Sequence, residues 1–234
     1  MKKDKFIEEL AKLNIEITDN QLNLLEQYYD MLIFWNNKIN LTTIVDKEDV
    51  YLKHFYDSLT VVKVIDLNKV DSLCDVGTGA GFPGIVLKIL FPKLKITLID
   101  SLNKRINFLN EVIAKLGLTD ITTIHIRVEE YGLVNREKYD LVIARAVAPL
   151  NILLEYCVPL TKINGYFIAM KANVDEEIEA SSNALQKLNS KIEDSICFTL
   201  PVEQSKRTII KIRKFSKTDK KFPRKYNEIK KRPL

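Results

Sequence analysis

A run of ten residues constrains this chain more than any other: Asp75-Val76-Gly77-Thr78-Gly79-Ala80-Gly81-Phe82-Pro83-Gly84, entered from the apolar segment Ser72–Val76 and left through the helical pattern Gly84–Phe91. Glycines at a strand-to-helix turn let the backbone bend tightly and let a ligand lie against the main chain where a Cβ would collide. Pro83 is tolerated near the helix start because its missing N–H would be unpaired there in any case. Asp100 ends the next apolar run, about 20 residues on, where a ribose-binding carboxylate is expected.

The glycine spacing bears on which cofactor such a loop holds. Gly77, Gly79 and Gly81 follow G-x-G-x-G, whereas dinucleotide binders use G-x-G-x-x-G so that a pyrophosphate reaches the helix N-terminus. Gly79, Gly81 and Gly84 satisfy the second pattern as well, so a nicotinamide-dependent oxidoreductase stays open as an alternative. Its intervening residues would be the bulky Phe82 and the donor-free Pro83, where N–H groups should face phosphate. S-adenosyl-L-methionine has no phosphate and needs no such donors, and it is the expected cofactor.

From Ser72 onward short apolar runs alternate with amphipathic helices, the pattern of βα units on a parallel sheet. Strands are expected at Ser72–Val76, Lys95–Ile99, Thr122–Ile126, Tyr139–Ala144 and Gly165–Met170. Helices are expected at Gly84–Phe91, Lys104–Leu116, Leu150–Tyr156 and Val174–Leu188. Two further strands, Ile192–Leu200 and Thr208–Phe215, have a linker too short for a helical crossover and should pair antiparallel. Upstream, Asp19 is a candidate N-cap for a helix whose inward face is Leu22, Leu25, Tyr28, Tyr29, Leu32 and Trp35. A second helical stretch starts near Asp46, with Val50, Leu52, Phe55, Leu59, Val62 and Ile65 facing inward. The fold class is thus α/β, a Rossmann-like class I methyltransferase fold: a mostly parallel sheet, an antiparallel C-terminal hairpin and an N-terminal helical extension. The expected divisions are 1–66 for the extension, 67–215 for the core and 216–234 for a basic tail.

A chain of 234 residues suits one α/β core with a modest appendage. It holds no apolar run near the roughly 18 residues that cross a bilayer, and its start has no signal-peptide pattern, so a cytoplasmic protein, monomeric and off the membrane, is expected. Cys74, Cys157 and Cys197 lack CxxC spacing and read as reduced, buried thiols, and with only His54 and His125 besides, no metal site is expected. From Lys206 to the end there are 13 Lys or Arg against Asp219 and Glu228, a local +11; since the whole chain is +5, the remainder carries −6. A basic end on a mildly acidic body suits either a solvated tail or a polyanionic partner.

Several further motifs occur in one order: Asn40-Leu41-Thr42, His54-Phe55-Tyr56-Asp57-Ser58-Leu59, the Gly77–Gly84 loop with its Phe82-Pro83, Asp100-Ser101-Leu102-Asn103-Lys104-Arg105, Arg127-Val128-Glu129, Ala144-Arg145-Ala146-Val147-Ala148, and Phe222-Pro223-Arg224-Lys225. In these the chain resembles, over nearly its whole length, the bacterial small-subunit (16S) ribosomal RNA guanine-N7 methyltransferase family, also called glucose-inhibited division protein B. The resemblance implies S-adenosylmethionine bound by Gly77 and Phe82, by Asp100 at the ribose, by Val128 and Glu129 at the adenine, and by Arg145. Its implied partner is ribosomal RNA or the small ribosomal subunit. The chain departs from the family in having Val128 where others have Ala, and Tyr226–Leu234 in place of a Gly- and Pro-rich end.

Guanine N7 carries a lone pair and no proton, so its methylation needs no general base. The chain also lacks the Pro-Cys nucleophile used on pyrimidine carbon and the Pro-Pro-Tyr element used on amino nitrogens. Arg145 is the candidate for a direct role, orienting the cofactor or hydrogen-bonding guanine O6, with Lys171 a possible second donor; alternatively each pairs with a carboxylate. No catalytic residue is otherwise assigned. His54, Trp35 and the helical tyrosines read as packing residues, and Phe82 as a cap on the cofactor. A non-catalytic RNA-binding assembly factor with a relic cofactor loop is the remaining alternative.

Overall fold

The computed structural model of the chain describes residues 1–172 and 174–234. It opens with α1 (Lys3–Lys12) and α2 (Asp19–Ile39), then α3 (Lys47–Val50), a π-helical turn at Tyr51–Tyr56, α4 (Asp57–Leu59) and a 3-10 turn at Thr60–Lys63. There follow β1 (Ser72–Val76), α5 (Gly84–Leu90), β2 (Lys95–Asp100), α6 (Asn103–Leu116), β3 (Ile121–His125), α7 (Val128–Val134) and β4 (Tyr139–Arg145). The chain ends with α8 (Leu150–Cys157), β5 (Thr161–Lys171), α9 (Asp175–Ala180), α10 (Ser182–Lys187), β6 (Ser190–Thr199), β7 (Lys206–Lys214) and α11 (Tyr226–Lys231). Among these described residues, no helix is long and apolar enough to cross a membrane.

The strands form one sheet in the order β3-β2-β1-β4-β5-β7-β6. β1 to β5 run parallel, and β7 lies antiparallel between β5 and β6, as the short linker demanded. Alternation along each strand divides the core. Leu73, Leu98, Leu141, Ile143 and Ile168 face a layer built from α2, α5 and α6, which takes in Leu22, Leu25 and Leu32 of the N-terminal helices. Cys74, Val76, Val142, Ala144 and Phe167 face the opposite layer of α7, α8 and α10, which also takes in Phe222 and Ile229 from the chain's end. Both faces of the sheet are covered, as a parallel sheet requires.

Local differences from the sequence expectations have local causes. Thr18, not Asp19, caps α2: its hydroxyl accepts from Gln21 N–H and the Gln21 side chain accepts from Thr18 N–H, a reciprocal capping box. The stretch after Asp46 is not a uniform helix. The wider π turn and the tighter 3-10 turn shift the helical phase, so Val61, Val64 and Leu67 point inward while Val62 and Ile65 are only half-buried. Strand β5 starts at Thr161 rather than Gly165, the helix expected over Val174–Leu188 breaks at Ser181, and Cys197 is exposed rather than buried.

Candidate active site

The strand order reverses between β1 and β4, and the crevice at the carboxyl ends of two such strands is where open α/β sheets bind ligands. The loops that follow β1 and β4 touch there. Gly77 has φ +66°, and a Cβ on it would lie 2.7 Å from Cγ2 of Val147, so both the backbone hand and the neighbouring loop exclude a side chain. Behind the loop sits Asp75, fully buried, whose Oδ2 accepts from the Thr78 hydroxyl at 2.6 Å and from Gly84 N–H at 2.8 Å, stapling the loop's two ends together. Burial pushes the Asp75 carboxyl up to about 6, against the pull of those two donors.

Two cavities meet at Gly77, which lines both. The smaller, of about 380 Å³, has apolar walls that include Ile99, Ile126, Val128 and Ile152, with the carboxylates of Asp100 and Glu129 among its lining. Asp100 accepts from Gly79 N–H at 2.9 Å, from Leu102 N–H at 2.9 Å and from Arg105 at 3.2 Å, which fixes both its oxygens at the loop. Glu129 lies in the first turn of α7, and its Oε1 is buried without a hydrogen-bond partner among the described residues. Burial raises its pKa above the usual carboxylate value.

The larger cavity, of about 620 Å³, is lined by Gly77–Ala80, by Phe82, and by residues of four distant segments: Thr42, His54 and Asp57, Arg145, and Arg207. These side chains form one network. Arg145 donates from Nη1 to Asp57 Oδ2 and to the Lys53 carbonyl, both at 3.1 Å, and from Nη2 to His54 Nδ1 at 3.2 Å. A guanidinium only donates, so His54 Nδ1 accepts and the ring proton sits on Nε2, 2.9 Å from the Thr42 hydroxyl. The imidazole stacks on Phe82 with centroids 4.4 Å apart. Burial and the facing Arg145 hold His54 down to about 3, so it is a neutral packing residue engaged at both nitrogens.

The GidB family model, described as rRNA small subunit methyltransferase G, matches residues 21–208. The chain belongs to this family. Curated proteins called Ribosomal RNA small subunit methyltransferase G match end to end: one from Acetivibrio thermocellus at 51% identity over 97% of this chain and 95% of its own length, and one from Bacillus velezensis at 50% over 99% and 98%. Among solved structures, a SAM dependent methyltransferase from Aquifex aeolicus shares the fold with a TM-score of 0.56 at 17% identity, covering 74% of this chain and 96% of that one. A 16S rRNA (adenine(1408)-N(1))-methyltransferase from Catenulisporales acidiphilia does so with a TM-score of 0.53 at 14% identity, over 64% and 87%.

Of the residues that the family resemblance and the glycine pattern pointed to, Gly77, Gly79, Phe82, Asp100, Val128, Glu129 and Arg145 line one or both cavities. Gly81 does not. A Cβ there would lie 2.6 Å from Ile85 and 2.7 Å from the Tyr28 hydroxyl, so packing rather than a ligand demands that glycine. Gly84 likewise has Leu98 and Asp75 where its Cβ would stand, so packing accounts for the last two glycines of the dinucleotide pattern. Phe82 is 6% exposed and belongs to the core as much as to the cavity wall. Lys171 pairs with Glu177 at 2.8 Å and donates to the Ala148 carbonyl, as the carboxylate-pairing alternative held. Thr42, Asp57 and Arg207 had no assigned role; the motifs Asn40-Leu41-Thr42 and His54–Leu59 were the signal, and only their meeting with Arg145 explains them.

The basic end is not a free tail. Arg136 donates to the carbonyls of Thr218, Asp219 and Phe222, and Arg224 forks onto the fully buried Glu155 at 2.8 and 2.6 Å. Phe222 and Ile229 are buried, and Tyr226 and Lys230 line the smaller cavity. Lys217, Lys220, Lys221, Lys225, Lys230, Lys231 and Arg232 remain exposed on this docked segment. Lys214 is not part of that surface: it is buried on the carbonyls of Val158 and Thr161, and burial lowers its pKa to about 8.

Proposed function

We propose that the chain, acting as a cytoplasmic monomer, uses S-adenosylmethionine to methylate N7 of a guanine in small-subunit ribosomal RNA. The observation that carries this reading is the pair of cavities joined at Gly77, one with carboxylates for a nucleoside and one whose charged lining is mostly cationic. Membership in the rRNA small subunit methyltransferase G family supports the RNA substrate, as does the band of exposed Lys and Arg on the docked C-terminal segment.

The smaller cavity fits the nucleoside end of the cofactor. The orphaned Oε1 of Glu129 is an acceptor for an adenine amino group, Val128 and Ile126 supply apolar walls for the ring, and Asp100 retains lone pairs for a ribose hydroxyl. A Cβ on Gly79 would meet only the Gly77 carbonyl oxygen, at 4.0 Å, leaving room at the loop for the rest of the molecule. When bound, S-adenosylmethionine supplies an electrophilic methyl group. The chain's own work is positioning, which is where most of the acceleration of such a displacement lies. Arg145 ties the larger cavity's wall together through its bonds to Asp57, His54 and Lys53, and the docked segment sets Tyr226 and Lys230 in the lining of the smaller cavity. His54, neutral and doubly bonded, takes no proton, in keeping with an acceptor atom that has none to give.

The test is transfer of a labelled methyl group from S-adenosylmethionine to undermethylated small ribosomal subunits and to their extracted RNA, with Asp100→Ala as control. Label recovered as 7-methylguanine and lost in the variant is the expected result. Absence of label from every RNA form, in a protein that binds S-adenosylhomocysteine, overturns it.

A further inference from the structure

Asp57 is the more deeply buried of the two carboxylates that line the larger cavity, the other being Glu177. Its side chain is 8% exposed, and Oδ2 is occupied by Arg145 Nη1 at 3.1 Å and Arg207 Nε at 3.2 Å. Oδ1 accepts no hydrogen bond from any described residue, yet it is not among the buried atoms that lack a partner, so it retains contact with the open cavity that Asp57 lines. The other lining carboxylate, Glu177, has a side chain 31% exposed and takes Leu150 N–H at 2.7 Å and Lys171 at 2.8 Å, both on Oε2. Every other charged group in the lining is a cation: Lys53, Arg105, Arg145, Lys171 and Arg207.

That arrangement bears on a base that becomes cationic. Methylation at N7 uses the ring's lone pair, leaves the electrons of the broken carbon–sulfur bond on sulfur, releases no proton and moves a unit positive charge onto the base. The five cations of the lining oppose that charge. A carboxylate offsets it, most strongly when it accepts from N1–H and the 2-amino group, whose acidity rises as the charge develops. We propose that Asp57 is the base-reading residue of this site, its Oδ1 accepting from the N1–H and 2-amino edge of the guanine; this rests on the guanine-N7 reading above. The two guanidinium groups on Oδ2 hold the carboxylate so that Oδ1 faces the base. Adenine presents a lone pair at N1 where guanine presents N–H, so the same oxygen repels it, and one residue supplies both selectivity and charge stabilisation.

The experiment uses the full chain and small subunits reconstituted with guanosine or inosine at the methylated position, inosine lacking only the 2-amino group. Wild-type protein is expected to prefer guanosine by roughly 10- to 100-fold in kcat/KM, the worth of one hydrogen bond to a charged group. In Asp57→Ala and Asp57→Asn the preference should collapse towards 1 while S-adenosylhomocysteine affinity, measured by calorimetry, stays within about twofold of wild type. The wild-type preference is read without any variant, so a folding defect does not block the test. A wild-type preference near 1, or one that persists unchanged in both variants, overturns the proposal. So does a tenfold loss of S-adenosylhomocysteine affinity, which would place Asp57 on the cofactor's ammonium group instead. A wild-type product other than 7-methylguanine overturns the N7 reading and this inference together, whereas 7-methylguanine with an unchanged preference overturns only the role of Asp57.

Discussion

The hydroxyl of Tyr28, midway along α2, donates to the main-chain carbonyl of Ala80 inside the glycine loop. The Tyr28 ring is fully buried, 5.4 Å from Phe82 and 5.6 Å from Phe55, so the N-terminal helix forms the back wall of the loop. Removing the hydroxyl leaves a buried carbonyl without its donor, which costs about 1–3 kcal/mol. Tyr28→Phe is therefore expected to melt several degrees lower in calorimetry and to bind S-adenosylhomocysteine about tenfold more weakly. Wild-type affinity in that variant would mean that the loop keeps its shape unaided.

Gly77 is the contact between the loops after β1 and β4. Its φ of +66° and the 2.7 Å approach of Val147 mean that Gly77→Ala must strain the backbone and push the second loop away. The expected outcome is a loss of cofactor-analogue affinity of tenfold or more, alongside a stability loss of only about 1–2 kcal/mol. Titration calorimetry and urea unfolding on one preparation separate the two effects.

His54 is held down to about 3 by burial and by Arg145, against 6.5 in an open chain. A base whose pKa is depressed in the fold contributes stability that is complete above pH 6.5 and is lost as pH falls towards 3, because the unfolded chain takes up the proton and the folded chain does not. The stability advantage of wild type over His54→Gln should therefore shrink by about 2 kcal/mol between pH 7.5 and pH 5. Asp75, raised to about 6, has the opposite pH dependence but is present in both proteins, so it drops out of the difference. Paired urea titrations at the two pH values measure it; a constant gap would contradict the buried neutral imidazole.

Arg224 and Glu155 fasten the C-terminal segment. In Arg224→Ala the fully buried Glu155 keeps, among the described residues, one main-chain N–H, which is expected to cost about 3 kcal/mol. Because Tyr226 and Lys230 line the smaller cavity, the same change should weaken S-adenosylhomocysteine binding and speed tryptic cleavage at Lys217–Lys225. Arg224→Lys, which keeps the charge but not the fork, should fall between the two proteins.

The residues that could be read in advance are those whose meaning is local. Strand β1, the glycine turn and α5 lie within twenty residues, and their pattern of apolar runs and glycines is complete in itself; the antiparallel β6–β7 pair followed from the length of its linker. Helix α7 was passed over because its seven residues carry a glycine, Gly132, and two successive glutamates, too little for a periodic signal. The π turn at Tyr51–Tyr56 left no mark in an apolar pattern that a regular helix would also satisfy. The Lys and Arg count at the chain's end spoke of charge, but not of which cations Glu155, Glu137 or Asp57 would draw inward.

The sequence by itself determined the class of fold, the cofactor loop and the family, because turn geometry, periodicity and motif order depend on neighbours along the chain. Only the tertiary structure decided that Gly81 and Gly84 serve packing, that the basic end is a docked strap, and that Thr42, His54, Asp57, Arg145 and Arg207 form one cavity wall. Those outcomes depend on contacts across as many as 150 residues, such as Arg207 to Asp57. A hydrogen bond of 3 Å carries no trace of itself in the spacing of residues that lie so far apart.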